Sequence, residues 1–187
     1  MNIPVALTIA GSDSGGGAGI QADIKSMQAN GVFAASVITA VTSQNTVAVT
    51  DAMDLPVSLI ASQLDAVMSD LPVAAAKTGM LSSAEIIECV SKKVVEHDIG
   101  PLVVDPVMIS KSGFPLLKDD AVDALIEFLL PLAEVCTPNA HEAARLEGFE
   151  LSSETDAAKA AEQIFEMGPG AVLVKGGHLD AEEDAVD

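Results

Sequence analysis

Several short stretches of this 187-residue chain hold residue types and spacings that can do chemistry. Gly11-Ser12-Asp13-Ser14-Gly15-Gly16-Gly17-Ala18-Gly19 carries five glycines in nine residues, which lets a backbone approach a ligand and adopt positive φ. It lacks the Gly-Lys-Ser/Thr of a P-loop and the third glycine of a dinucleotide fingerprint, so an anion cradle and a plain tight turn stand as equal readings. Asp23, one helical turn beyond Gly19, either points back over that loop or favours the positive end of a helix. In Thr42-Ser43-Gln44-Asn45-Thr46 the Gln44 amide pairs a donor with an acceptor, which suits the edge of an aminopyrimidine-like ring; a solvated loop glutamine is the other reading. Asp105, in Asp105-Pro106-Val107-Met108 with Lys111-Ser112-Gly113 behind it, can hold Mg²⁺ or merely start a turn before proline. Asn139 and Glu142 either cap a helix reciprocally or turn their oxygens toward nucleotide phosphates and a metal. Lys175, leaving an apolar run into Gly176-Gly177-His178, either meets a phosphate or snorkels from a sheet edge.

The elements that must position these residues follow from periodicity. Apolar runs at Val5–Ala10, Ala34–Ala40, Val73–Lys77, Leu102–Val104, Glu134–Thr137 and Ala171–Val174 read as strands. Between them, the 3.6-residue pattern predicts helices after Gly19, behind Pro56, from Ser82 with Glu85 three residues on, and over 122–130, 139–146 and 157–167. Alternating strands and helices with short connections predict an α/β fold, an open, mostly parallel sheet with helices on both faces. In such sheets ligands gather beyond the carboxyl ends of the strands. The glycine loop, Gln44, Asp105, Asn139 with Glu142, and Lys175 all fall there. Together they favour phosphoryl transfer. The chain finishes just after its last strand with an acidic run, Asp180–Asp187, and reads as a single domain over 1–187 that is incomplete at its C-terminus.

Composition excludes other classes. Nine Lys+Arg against 28 Asp+Glu give a net charge of −19, which leaves no basic face for nucleic acid or for an anionic membrane surface. Mean hydropathy is +0.40, yet the longest uncharged stretch, Ser26 to Thr50, is interrupted by Asn30, Gly31, Ser36, Ser43, Gln44 and Asn45, so no transmembrane helix is expected. Met1-Asn2-Ile3-Pro4 has no basic character, which argues against a secretory signal. Cys89 and Cys136 form no CxxC or Cys/His cluster, and both read as buried apolar residues rather than zinc ligands or nucleophiles. A cytoplasmic location is expected. The acid surplus also fits adaptation to a salt-rich cytoplasm, in which case salt relieves self-repulsion; a melting temperature flat from low salt to molar KCl would overturn that idea.

The motifs in combination resemble the hydroxymethylpyrimidine/phosphomethylpyrimidine kinases of thiamine biosynthesis. The resemblance rests on Ala6–Asp13 with 15–23, Ser36–Ala40 with Gln44-Asn45-Thr46, Lys77-Thr78-Gly79-Met80-Leu81, Asp105-Pro106-Val107-Met108, Thr137-Pro138-Asn139 with Glu142, and Val174-Lys175-Gly176-Gly177-His178. It implies a three-layer ribokinase-like fold and ATP·Mg²⁺-dependent phosphorylation of 4-amino-5-hydroxymethyl-2-methylpyrimidine and then of its monophosphate. It further implies that Gln44 reads the pyrimidine and that Asp23, Gly11, Met80 and Val107 line the same pocket. Asp105 and Glu142 would organise Mg²⁺, Asn139 the phosphate region and Lys175 the ATP phosphates. A homodimer is one assembly left open, apart from the resemblance. The family's Gly-Thr-Gly-Cys or Gly-Thr-Gly-Asp motif, which supplies the anion hole and the residue that deprotonates the substrate hydroxyl, does not occur before Asp187. No catalytic residue is therefore assigned, and turnover by these residues alone is expected to be absent or very poor. The rival readings are a pyridoxine-type vitamin kinase on the same fold and a non-catalytic pyrimidine-binding module.

Overall fold

The computed structural model describes residues 3–109, 116–118, 120–176 and 187. The run Val-Ala-Leu-Thr-Ile-Ala-Gly-Ser-Asp forms β1 (Val5–Asp13), with Leu7, Ile9 and Ala10 fully buried. Continuous burial of this kind is what a central parallel strand requires, since both faces of the sheet are covered. β1 lies between β2 (Phe33–Gln44) and β4 (Val73–Thr78), parallel to both. β5 (Leu102–Val104) and β6 (Val135–Cys136) extend the sheet in the same direction. Parallel bridges from Cys136 to Val172 and from Asn139 to Lys175 carry a further segment along β6. The complete order is β3-β2-β1-β4-β5-β6.

β3 (Val49–Asp54) departs from the expected pattern, because it runs antiparallel to β2 at the sheet edge. Its sequence, Val-Thr-Asp-Ala-Met-Asp, is exposed beyond Val49 and so carries little hydrophobic signal. The hairpin also changes the setting of Gln44: β2 continues through Thr42 and Ser43 by pairing with β3, so Gln44 ends a strand rather than sitting in a loop.

Helix α1 (Gly19–Ala29) packs over β1 and β2. α2 (Val57–Met68) begins behind Pro56, and α3 (Ala84–Glu96) packs against it. The cap of α3 is Ser83, whose Oγ accepts the Ile86 N–H; Ser82, the expected cap, instead donates its hydroxyl to Asp54. α4 (Ala121–Ala124) continues through a π turn, Leu125–Leu129, and a 3₁₀ turn, Leu130–Leu132. α5 (Ala140–Glu147) and α6 (Glu154–Phe165) pack together. Sheet and helices make the three-layer ribokinase-like architecture. The largest fully buried side chains are Leu, Ile and Met with one Val, and none is aromatic. At the surface Lys93 of α3 lies 2.7 Å from Asp65 of α2 and 3.0 Å from Glu96, and its ammonium stands among the Asp65, Glu96 and His97 side chains. No described helix is long and apolar enough to cross a membrane.

Candidate active site

At the carboxyl end of β1 the chain turns sharply, and Asp13 governs the turn. Its carboxylate, 5% exposed, accepts the Gly15 N–H at Oδ1 (2.7 Å) and the N–H groups of Gly17 (2.9 Å) and Ala18 (2.8 Å) at Oδ2. The Gly16 N–H goes to the Asp13 carbonyl at 3.0 Å. Four consecutive amides are therefore spent on one residue. The equal standing of cradle and turn resolves toward the turn, because the protein's own carboxylate occupies the place a ligand anion would take. Gly19 closes it with φ +55°, and a Cβ there would stand 2.3 Å from the Gly11 carbonyl oxygen. Gln21 ties the turn to β1, accepting the Asp13 N–H (2.8 Å) and donating to Ser12 Oγ (2.7 Å).

Beside this turn opens a cavity of about 590 Å³. Gly11, Asp23, Gln44, Met80 and Val107 all line it, although they come from five separate stretches of the chain. Gly11 leaves room for Met80, whose Cε would stand only 3.0 Å from a Cβ at that position. Gln44 Oε1 accepts the Thr42 hydroxyl at 3.1 Å, while its Nε2 donates to none of the described residues. Asp23 accepts the Thr8 hydroxyl at Oδ2 (2.6 Å) and the Lys77 ammonium at both oxygens (3.1 Å each).

Asp105 forms the wall between this cavity and a second cluster. Lys77 Nζ lies 3.7 Å from Asp105 Oδ2 on the cavity side, and Lys175 Nζ donates to Asp105 Oδ1 at 2.9 Å on the other. Asn139 and Glu142 satisfy the cap reading: Glu142 Oε2 accepts the Asn139 N–H (2.8 Å), and Asn139 Oδ1 accepts the Glu142 N–H (2.9 Å). Lys175 is held beside them, its N–H on the Pro138 carbonyl at 2.8 Å. Asn139, Glu142 and Lys175 do not line the cavity. Burial pushes the Glu142 carboxyl above its ordinary value; hydrogen bonding to Asn139 and the nearby Lys175 charge pull the other way, and the Asp105 charge adds to the rise. The arrangement is a ring-sized cavity joined through one carboxylate to a cluster of two further oxygen-bearing side chains and a lysine. Lys111-Ser112-Gly113, Gly177-His178 and all of the acidic run but Asp187 lie outside the described residues.

Cys136 is fully buried, and its thiol is pushed up to about 12 by desolvation, in keeping with a core residue. Cys89 is partly exposed, and desolvation raises its thiol as well. Sequence reasoning passed over Thr8, Asp13 and Lys77 as site residues. Lys77 had a readable signal, an ammonium inside the apolar strand Val-Ala-Ala-Ala-Lys-Thr. Asp13 had none, because its partners exist only once the turn has formed.

The family model for phosphomethylpyrimidine kinase matches residues 13–187. The hydroxymethylpyrimidine/phosphomethylpyrimidine kinase of Haemophilus influenzae is 51% identical over 177 residues, which cover 95% of this chain and 66% of that protein. The Bacillus subtilis protein of the same name is 50% identical and is matched by the whole of this chain over 69% of its length. The chain thus spans about two thirds of the length of these curated relatives. Among solved structures, the phosphomethylpyrimidine kinase of Clostridium difficile superposes with a TM-score of 0.89 at 48% identity, covering 97% of this chain and 79% of that one. A pyridoxal kinase of Staphylococcus aureus in complex with pyridoxal gives 0.87 at 38%, covering 96% and 66%. Fold, motifs and close relatives agree: the chain belongs to the phosphomethylpyrimidine kinase family.

Proposed function

We propose that this chain forms the pyrimidine-binding part of an ATP-dependent kinase that phosphorylates 4-amino-5-hydroxymethyl-2-methylpyrimidine and then its monophosphate, in thiamine biosynthesis. The observation that carries the reading is the convergence of Gly11, Asp23, Gln44, Met80 and Val107 on one cavity whose wall, Asp105, also belongs to the Lys175 cluster. The cavity offers an apolar floor at Met80 and Val107 and polar groups at Gln44 and Asp23, the pairing that orients a flat heteroaromatic ring. Across Asp105, Lys175 would meet the ATP phosphates and Asn139 would hold the phosphate region.

Asp105 and Glu142 fit Mg²⁺, since both are hard oxygen donors and a divalent cation would offset a carboxyl group that burial disfavours as an anion. When bound, the ion would supply charge neutralisation at the phosphates. The side chains themselves bind and orient: Gln44 reads the ring edge, and the Asp13-held turn closes the cavity beside it. A cytoplasmic location and a homodimeric state belong to the same proposal, and sedimentation velocity tests the latter.

Isothermal titration of the protein with the hydroxymethylpyrimidine, in competition with pyridoxine, tests the reading. Saturable pyrimidine binding that Gln44→Ala weakens by on the order of 10-fold or more is expected. Preference for pyridoxine would favour the vitamin-kinase alternative, to which the likeness to a pyridoxal kinase lends support. Tight pyrimidine binding without ATP turnover in the complete natural gene product would favour the non-catalytic module.

A further inference from the structure

Lys77 and Thr8 are Cα partners across the β1–β4 pairing, so their side chains emerge next to each other on one face of the sheet. Both reach the same carboxylate on α1: Thr8 Oγ1 lies 2.6 Å from Asp23 Oδ2, and Lys77 Nζ lies 3.1 Å from each Asp23 oxygen. The side chains of Lys77 and Asp23 are 22% and 18% exposed, so the pair is largely withdrawn from water while it lines the cavity. Gly79 lets the lysine take this path, since a Cβ there would stand 3.0 Å from Lys77 Nζ. A carboxylate has roughly four acceptor positions. The hydroxyl and the two ammonium contacts occupy three of them, and among the described residues none donates to the remaining one, on Oδ1.

We propose that Lys77, assisted by Thr8, is the positioning residue for Asp23, pinning its carboxylate so that the one remaining acceptor position receives a single N–H or O–H of the pyrimidine. The proposal rests on the pyrimidine-kinase reading and deepens it. Lys77 acts through Asp23 and does not itself touch the ring. Without it, Asp23 turns among rotamers and takes water at the positions the ammonium held, so the ligand must order the carboxylate as it binds.

The test is a double-mutant cycle on the Kd of 4-amino-5-hydroxymethyl-2-methylpyrimidine, measured by titration calorimetry. Lys77→Met is expected to weaken binding by on the order of 10- to 100-fold, and Lys77→Arg to restore most of that loss. In an Asp23→Ala background, adding Lys77→Met should change the Kd by no more than about twofold, because the residue through which Lys77 acts is gone. A merely structural lysine would not give that coupling. Thr8→Val, which removes one oxygen at constant shape, is the second probe should Lys77→Met fail to fold, with a smaller loss that likewise disappears without Asp23. Unchanged affinity in Lys77→Met overturns the assignment. So does a penalty of the same size in the Asp23→Ala background, which would mean that Lys77 contacts the ligand directly. A wild-type protein that takes up no pyrimidine would overturn the kinase reading and this proposal together, an outcome distinct from the other two.

Discussion

Around Asp13, four successive backbone amides end on the carboxylate and carbonyl of a single residue, and Gln21 from the start of α1 braces it. Around Asp105 the balance is struck between elements instead, with one lysine from β4, another from the segment beside β6, and a capped helix whose Glu142 is buried. The first region draws its acceptors from within the chain itself. The second sets Asp105 between two lysines and holds Glu142 in a buried place, where desolvation raises its carboxyl. Hydrogen bonds gathered on one residue on one side, and charges balanced between separate elements on the other, are the contrast that the proposed function assigns to ring selection and to phosphate handling.

The sharpest way to break this comparison is at the self-contained turn. Gly19→Ala brings a Cβ to 2.3 Å from the Gly11 carbonyl and forces a side chain into positive φ; we expect about 2–5 kcal/mol lost in urea unfolding, and pyrimidine binding lost with it. Asp13→Ala strips the carboxylate acceptor from three backbone amides at once and should cost about 1–3 kcal/mol by the same measurement. If either variant proved as stable as wild type, the turn would not be the closed unit described. At the second region Asn139→Ala should cost only about 1 kcal/mol, the ordinary worth of a helix cap.

Glu142 sharpens the contrast through pH. Its folded carboxyl is raised above the unfolded value of 4.5, so the folded state holds its proton longer. The stability it contributes is complete below 4.5 and declines as pH rises through the raised folded value. Glu142→Gln should flatten that decline in a pH series of melting temperatures; an unaltered slope would place the cause elsewhere. The smallest effect is chemical: a thiol reagent should modify Cys89 well before Cys136, which is fully buried with a thiol near 12.

The apolar runs made most of the sheet readable. β5 follows its expected bounds, β1 was seen as far as Ala10, and α2 starts where Pro56 says it should. The reciprocal cap of Asn139 and Glu142 was visible because its residue types and three-residue spacing are local. β3 was not, since an edge strand exposed beyond its first residue needs no apolar alternation and owes its form to pairing with β2. The α3 cap slipped by one residue between two adjacent serines whose difference is tertiary: Ser82 is drawn to Asp54. The same divide runs through the site. Gln44 and Asp105 are legible from their order at strand ends, whereas only the family resemblance implies that Gly11, Asp23, Met80 and Val107 share one pocket; the cavity brings those four and Gln44 together. Thr8 and Lys77 sit inside strands, where only the register of β1 on β4 reveals that they share Asp23.

The scarcity of rings has an optical consequence. With no Trp and no Tyr in the chain, the protein contributes almost nothing to near-ultraviolet absorption or intrinsic emission. A heteroaromatic guest in the Gly11–Met80 cavity would then be the dominant chromophore of its own complex. Its absorption and induced circular dichroism would report directly on occupancy of the cavity, against a protein that is itself nearly dark.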